Sequence, residues 1–421
     1  MPVDTRELII LMAYLALGPF AWGFFLFVMH LGRKRMTLMQ RSPTGGPLID
    51  VPGEKPSVSI LIPAKDEGER IRSCILSAIK QDYPKVGVIA IDDRRSDNTG
   101  AVMDEMAREH PNLRVLHVTE PPAEGWTGKN NALHQGSKIA TGDWLLFVDS
   151  DVVLQPDALT VGMAVVRRKN FGMLSLLPTL ESGSLWESIM VPLCAGAASS
   201  MYLIAMNNIG EYKGGAFANG QFMLMSRAGY DKIGGHVTVR DRYCEDVAIA
   251  KLFKENGLRP RVSWGTDFCS VRMYSSLAAV IRGWSRIYYA AKVGSPWRIL
   301  AGVFWLLFCS FSVIPALAFG LYRVGHPVPA SFGNVTASWL IGAGAHFGFM
   351  TIALSLLYRW SRNPARNALL FLPIGGPMLL YIFGKALKMC VTKKVEWRGT
   401  AYQHAMAANI GPTSAAGSPT R

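Results

Sequence analysis

The sequence predicts an α/β domain with a mostly parallel sheet, tethered to a membrane by helices on both sides of it. Three observations lead there. Strand-like and helix-like patterns alternate from Ser57 onward, which is the pattern of a parallel sheet covered by helices. Two long runs, Leu8 to Gly32 and Ile299 to Tyr322, carry no formal charge, and a third, Asn334 to Tyr358, holds only His346. About 20 apolar residues span a hydrocarbon core of ~30 Å. Cations gather at the borders of these runs and not evenly along the chain: Arg33, Lys34 and Arg35, then Lys292 and Arg298, then Arg359, Arg362 and Arg366.

The 421 residues are 50% hydrophobic, with a formal net charge of +14. A basic chain raises the question of nucleic acid. Here the charge borders membrane runs, so a nucleic-acid role is set aside in favour of lipid headgroups. The first run has no basic leader and no small-residue cleavage site, which separates it from a signal peptide. Cationic loops stay on the cytosolic face. The expected organisation is an N-terminal transmembrane helix over 1–32, a cytosolic domain over 33–298, a membrane region over 299–390 and a tail over 391–421. The localisation expected is the cell (inner) membrane, multi-pass. Within the domain, 189–206 is uncharged but interrupted by Pro192 and Gly196, and reads as an interfacial or core helix. The last apolar stretch, 367–388, is broken by "PIGGP" and flanked by cations at both ends; it either re-enters or spans. The six cysteines include no C-x-x-C pair and suit a reducing compartment.

The elements follow in order. "SVSILIPA" is a buried strand, and Ile71, Cys74, Ile75, Ala78 and Ile79 recur at helical spacing until "QDYP" stops them. "VGVIAIDD" is the second strand, "TGAVMDEMAREH" a helix and "RVLHV" the third strand. "KNNALHQGSKIATG" is a helix closed by glycine, "WLLFVD" the fourth strand, and "FGMLSLL" the fifth, after a helix opened by Pro156. In such sheets ligands bind beyond the carboxyl ends of the strands. Asp92, Asp93, Asp149 and Asp151 all fall there.

These ends carry the chemistry. The D-S-D of "FVDSDV" offers closely spaced carboxylates that suit Mg²⁺ or Mn²⁺, ions that accept one or two carboxylates plus phosphate and water; a turn or a cap before Pro156 is the plainer reading. "IDDRRSDNT" offers Asp92 or Asp93 to the imide N–H of a uracil, with Asp97 as a helix cap. "CEDVAIAKLFKENG" is a helix with Glu245 and Asp246 in its first turn, where acids also favour the dipole. Asp246 can act as a general base if it holds a hydroxyl at ~3 Å.

Taken together, "SVSILIPAKDE", "IDDRRSDNT", "GWTGKNNALHQG", "FVDSDV", "GQFMLMSR", "GGH" and "ED" make the segment Ser57 to Arg286 resemble the family 2 glycosyltransferases of GT-A fold. "GWTGKN" is most similar to lipid-directed members: those acting on carotenoid acids, the hopanoid-associated ones and the ceramide glucosyltransferases. The resemblance implies an inverting enzyme with a nucleotide-sugar donor, a UDP-hexose such as UDP-glucose, and a divalent metal. It implies that Ala64, Asp66 and Glu67 border the nucleotide, that Asp93 contacts the base with Asp92 beside it, and that Lys129 lies near the diphosphate. Asp149 would approach ribose or metal, Asp151 would ligate the metal, Asp246 with neighbouring Glu245 would do the catalysis, and Gln221 would face the acceptor. The Q-x-x-R-W of many membrane members is missing. In its place "VIRGWSRIYYA" sets Arg282 and Arg286 four apart on one helical face, which suits two roles equally: a grip on the leaving diphosphate with Trp284 near the acceptor, or a juxtamembrane amphipathic helix on anionic lipid. His236, after two glycines, is a candidate for an acceptor loop. The expected partners are the donor, a lipid acceptor and the membrane. Two alternatives stay open: a polyprenyl-phosphate sugar synthase, and a non-catalytic scaffold that binds nucleotide sugar.

Overall fold

The computed structural model describes residues 5–43, 47–48, 51–94, 96–209, 215–290, 296–326, 335–392, 394–397 and 400–403. Lys292, the Arg398–Gly399 step and the tail beyond 403 lie outside the described residues. The central sheet has seven strands in the order β3-β2-β1-β4-β8-β6-β9. Its first half is parallel: β1 (Val58–Ala64) lies between β2 (Val86–Asp93) and β4 (Trp144–Phe147), with β3 (Leu113–Val118) outside β2. β1 is covered on both faces, which is why its sequence is a nearly unbroken apolar run and does not alternate. Pro63 is tolerated because the pairing with β4 has already ended at Leu61↔Phe147, so the proline sits on a local edge.

The sheet departs from an all-parallel expectation at β8 (Met223–Ser226). This strand runs antiparallel to both β4 and β6 (Met173–Leu177), and β9 (Pro260–Trp264) continues parallel to β6. Four residues, "MLMS", are too short for a periodic signal, and their burial on both faces removes any alternation. The inversion has a consequence for the site: the amino end of β8 lies at the same sheet edge as the carboxyl ends of β1, β2 and β4. A small second sheet of β5 (Val152–Leu154), β7 (Thr179–Leu180) and β10 (Cys269–Val271), in the order β5-β10-β7, follows the D-S-D turn.

Four helical segments are long and apolar enough to cross a membrane: Thr5–Met36, Trp297–Gly325, Val335–Trp360 and Ala365–Thr392. The Leu185–Tyr202 helix, begun by Ser184 accepting the Glu187 N–H, instead joins a core with the Leu277–Ala290 helix and the membrane segments. Within this core, Trp22 Nε1 donates to the Cys309 carbonyl, and Tyr358 OH donates to that of Ile189. His346 lies between Tyr14 OH at 3.2 Å and the Cys309 carbonyl at 2.9 Å, so this intramembrane histidine ties three helices together. The Ala365–Thr392 segment packs against the Leu185–Tyr202 and Leu277–Ala290 helices. Asn367 Nδ2 donates to Ser188, Gly375 abuts Leu193, and the Ile382 carbonyl faces Ser285 Oγ.

Candidate active site

The site forms where parallel strands end and β8 begins. After β1, Asp66 takes a left-handed backbone (φ 54°) and its carboxylate accepts Ser96 N–H (2.6 Å) and Oγ (3.0 Å). This ties the first loop to the second. Glu67 accepts from Ser150 Oγ at 3.1 Å, inside the D-S-D turn, and the Glu67 N–H donates to Thr99 Oγ1. Ala64 pairs in register with Asp92 and is buried. Ala64, Asp66 and Glu67 therefore sit together at the mouth of β1, as the sequence suggested.

Asp92 and Asp93 point apart, as neighbours on a strand do. Asp92 bonds His117 Nδ1 at 2.7 Å, and His117 Nε2 bonds Asp104 at 3.0 Å. The Asp92 hydrogen bond raises the His117 pKa, with Asp104 adding to it. Asp92 thus braces β2 against β3 and lies behind the site. Asp93 faces the edge, held bidentately by Arg94 at 2.7 and 3.0 Å. The Asp92–His117–Asp104 bridge was not legible in sequence, since its members come from two strands and a helix.

The centre of the site is a lysine between two acids. Lys129 Nζ is 2.7 Å from Asp149 and 2.7 Å from Glu245. Burial works against its charge, but the two carboxylates outweigh it and hold its pKa well above the ordinary value. The Gly128–Ile139 helix carries it. That helix is capped by Thr127 and fixed by Asn130, whose amide donates to the carbonyls of Val239 and Arg242. Next to Glu245, Asp246 accepts the Gly220 N–H at 2.9 Å from the loop before β8. Burial, then the Glu245 charge, raises its pKa to about 7, with Lys129 opposing. Asp151 opens to solvent at the cleft. Surrounding protein, then Asp149 and Glu67, push its pKa to about 7 as well. Asp149, Asp151 and Glu67 thus crowd one corner, and the ion pair of Lys129 with Asp149 relieves only part of their repulsion.

That corner fits a divalent cation. Asp149 and Asp151 supply hard oxygen donors, and no group of three His, Cys, Asp or Glu among the described residues encloses an ion by itself. Such a donor set suits Mg²⁺ or Mn²⁺, which complete their shell with water and substrate phosphate.

The Leu277–Ala290 helix packs against the Leu185–Tyr202 helix and the membrane segments. Trp284 is buried, Arg286 half-buried and Arg282 exposed. Tyr274 packs against this helix at Gly283, near Arg286 and Asp151. The two arginines share a face by spacing, yet only Arg286 turns inward. Two acceptor-side expectations are corrected. His236 is fully buried in the Gly235–Thr238 helix, its Nδ1 bonded to Tyr230 OH at 2.7 Å and its ring against Phe147. Burial, then Lys129, lowers its pKa to about 3, so it is a neutral core residue and not an acceptor-loop side chain. Gln221 is buried too, and its Oε1 accepts from Asn219 Nδ2. It shapes the loop that presents Gly220 to Asp246 and lies off the open face. Glycines suggested a mobile loop for His236; the packing of Gly235 onto Tyr230 closes it.

An acid-lined edge on a mostly parallel sheet, with a lysine at its centre and membrane helices beneath, defines a membrane glycosyltransferase of GT-A type. The chain belongs to glycosyl transferase family 21, whose family model matches residues 21–409. It is similar to the 4,4'-diaponeurosporenoate glycosyltransferase of Staphylococcus haemolyticus, 26% identical over 266 residues, covering 61% of this chain and 68% of the relative. The enzyme of the same name from Staphylococcus aureus (strain MRSA252) is 27% identical over 277 residues, covering 63% and 70%. Among solved structures, the mannosyltransferase PcManGT from Pyrobaculum calidifontis, in complex with GDP-Man and Mn²⁺, aligns at TM-score 0.47 and 16% identity over 92% of this chain and 97% of that one. S. aureus TarS with UDP-GlcNAc aligns at TM-score 0.37 and 13% identity, covering 82% and 95%.

Proposed function

We propose that the protein transfers a sugar, with inversion, from a nucleotide sugar such as a UDP-hexose to a hydroxyl of a membrane lipid. The observation that carries this reading is Asp246, whose raised carboxyl sits in the same cleft as the Asp149–Asp151 corner and above the membrane helices. The similarity to 4,4'-diaponeurosporenoate glycosyltransferases, enzymes of a carotenoid acid, supports an apolar acceptor.

Asp149 and Asp151 would hold the divalent ion, which as a Lewis acid stabilises the charge that builds on the departing diphosphate. The residues of this chain do the rest. Ala64, Asp66, Glu67 and Asp93 border the nucleotide. Arg286 adds positive charge beside the leaving group, and Arg282, at the exposed turn, meets headgroups or the donor's outer phosphate. Lys129 holds Asp149 and Glu245 in place and neutralises part of the corner. The Gly220 N–H holds one Asp246 oxygen and the Val247 N–H the other, which fixes the plane of the carboxylate toward the acceptor. Asp246 then takes the hydroxyl proton as oxygen attacks the sugar carbon opposite the diphosphate. A carboxylate with a pKa of about 7 is a stronger base than an ordinary aspartate, and about half of it is ionised at neutral pH. One base and one displacement invert the anomeric carbon.

The acceptor enters from the bilayer beside Trp284 and the Leu185–Tyr202 helix. The domain lies in the cytosol, by the cations that follow the first membrane helix. The 367–388 stretch is read as re-entrant, supported by the cations that flank both its ends. The test is a donor screen. Membranes carrying the protein are given Mg²⁺ or Mn²⁺ and a panel of nucleotide sugars, and extracted lipids are read by mass spectrometry. A hexosylated lipid that depends on Asp246 supports the reading. Sugar appearing on a lipid phosphate, with Asp246→Asn still active, would favour the polyprenyl-phosphate alternative, since a phosphate acceptor needs no base.

A further inference from the structure

We propose that a polar cavity at the membrane boundary, lined by Arg362 and Glu181, binds the headgroup of a phospholipid that joins a phosphate to a primary ammonium, as phosphatidylethanolamine does. The inference stands apart from the transferase reading and uses residues outside the strand-end cleft.

The cavity has a volume of about 620 Å³. One wall is β7 and the loop that leads from it into the Leu185–Tyr202 helix. The other is the turn 362–364, between the Val335–Trp360 and Ala365–Thr392 membrane segments. A second cavity of about 320 Å³ adjoins it and reaches Asp267 and Arg41; Thr179, Glu181 and Arg362 line both. The position is that of the headgroup layer. Arg362 lies just beyond the end of a membrane helix, and the Arg33 guanidinium stands 5.1 Å from the Trp360 ring centroid. Tryptophan and cationic side chains concentrate at that boundary. Leu185, 63% exposed, lines the cavity, and Trp186 beside it is exposed too. They offer apolar surface against which acyl chains can lie. β7 is one edge of the small sheet, and β5, which follows Asp151, is the other. A headgroup here therefore joins the sheet behind the D-S-D turn to the membrane turn.

Charge selects the headgroup. Arg362 has a left-handed backbone, φ 57°, a conformation that costs a non-glycine residue and concentrates where a side chain must be aimed. The turn holds it: Arg362 N–H donates to the Arg359 carbonyl at 3.1 Å, and Asn363 N–H to that of Tyr358 at 2.8 Å. A guanidinium carries five N–H donors. Among the described residues Arg362 directs one of them, on Nη2, at Asp267, which leaves four for a phosphate. Arg41, at the far end, is already held by both oxygens of Asp157. Glu181 is exposed, and among the described residues its carboxylate accepts no hydrogen bond. The neighbouring acids are each paired: Asp157 with Arg41, Asp267 with Arg362, and Glu187 with Arg272. Glu181 is thus the negative charge in excess. A purely anionic headgroup would gain Arg362 and meet the repulsion of Glu181. A phosphate with a primary ammonium satisfies both, since the ammonium donates to the carboxylate. Choline has no N–H to donate and is held by aromatic faces, and no aromatic side chain lines either cavity.

The experiment uses the full-length protein in detergent micelles and native mass spectrometry. Short-chain phosphatidylethanolamine, phosphatidylglycerol and phosphatidylcholine are added singly over a concentration series, and thermal unfolding is recorded for every variant. The wild type should hold phosphatidylethanolamine about fivefold more tightly than either other lipid, as expected for one added charge contact at a membrane surface. Glu181→Gln should lose the preference over phosphatidylglycerol. Arg362→Gln should weaken phosphatidylethanolamine binding by about fivefold. A wild type that binds phosphatidylglycerol or phosphatidylcholine as tightly overturns the inference. So does a Glu181→Gln that keeps the preference, or a folded Arg362→Gln with undiminished affinity. Should Arg362→Gln unfold, Glu181→Gln, at an exposed position, decides alone. Glycerophosphoethanolamine, the same headgroup without chains, should compete only weakly; competition as strong as that of the lipid would give the cavity to a soluble phosphate ester and overturn the lipid assignment. None of these readouts depends on sugar transfer, so a failed donor screen leaves them standing.

Discussion

Asp246 and Lys129 show how single side chains set the chemistry. Two neighbouring carboxylates on the first turn of a helix would ordinarily both be stabilised by the dipole. Here they divide: Glu245 takes the lysine, and Asp246 takes a backbone N–H and carries the raised pKa. The expected pH dependence has a definite sign. A carboxyl raised to about 7 is protonated below that value and cannot accept a proton, so kcat/KM should climb with pH up to about 7 and level off above it. Asp246→Asn should remove that limb and cut transfer by about 10² to 10⁴-fold, while UDP binding by calorimetry changes little. Loss of nucleotide binding in that variant would count against the role as base. Asp151→Ala should abolish turnover and metal dependence together, read by nucleoside diphosphate release against added Mn²⁺. Lys129→Met should instead unfold more easily. It strands Glu245, which is 3% exposed, as a buried charge, at about 3 kcal/mol in chemical denaturation.

At the scale of elements, the site depends on where the strands stop. β1 and β2 run in register to Ala64 and Asp92, while β4 stops at Phe147, opposite Leu61, and leaves room there for the D-S-D turn; the turn into β4 fixes that register. A Cβ at Gly142 would lie 2.5 Å from Ser59 N and 2.8 Å from the Trp144 carbonyl. Both are backbone atoms of the central strands and cannot move aside. Gly142→Ala is expected to cost about 2 kcal/mol or more, seen as a lowered midpoint of thermal unfolding. Gly136→Ala is a useful contrast. Its nearest neighbour is the Ile91 Cδ1, a flexible side-chain tip, so the loss should be smaller. The elements themselves were largely legible. β1, β2, β3, β4 and β6 are long or apolar enough to stand out, and the helix of Ile71, Cys74, Ile75 and Ala78 buries that stripe. β8 was hidden, being short and buried on both faces.

For the whole molecule, the sheet has its own cores on its two faces, and the Leu185–Tyr202 and Leu277–Ala290 helices form a separate core with the membrane helices. Glu187, fully buried, pairs with Arg272 across the start of the Leu185–Tyr202 helix. At the far end Glu7 pairs with Arg323, and Trp339 Nε1 reaches the same carboxylate. The cytosolic orientation is checked with a cysteine placed at Glu109, an exposed site at the end of its helix. An impermeant maleimide should label it in inverted membrane vesicles and leave it unlabelled in intact spheroplasts. The opposite pattern would reverse the proposed topology and move the donor site away from cytosolic nucleotide sugars.

The sequence alone determined the membrane runs, the alternation of strands and helices, and the set of acids at strand ends. Each of these is a local property, carried by charge, apolar periodicity or spacing over a few residues. Only the tertiary structure decided which acids meet. It put Asp92 behind the sheet with His117 and turned Asp93 to Arg94. It set Lys129 between Asp149 and Glu245, buried His236 where the preceding glycines suggested an open loop, and buried Gln221, which the family resemblance had placed toward the acceptor. The physical reason is that charge and burial depend on neighbours brought from far along the chain: Lys129 and Glu245 stand more than a hundred residues apart, and no pattern within either helix records the other.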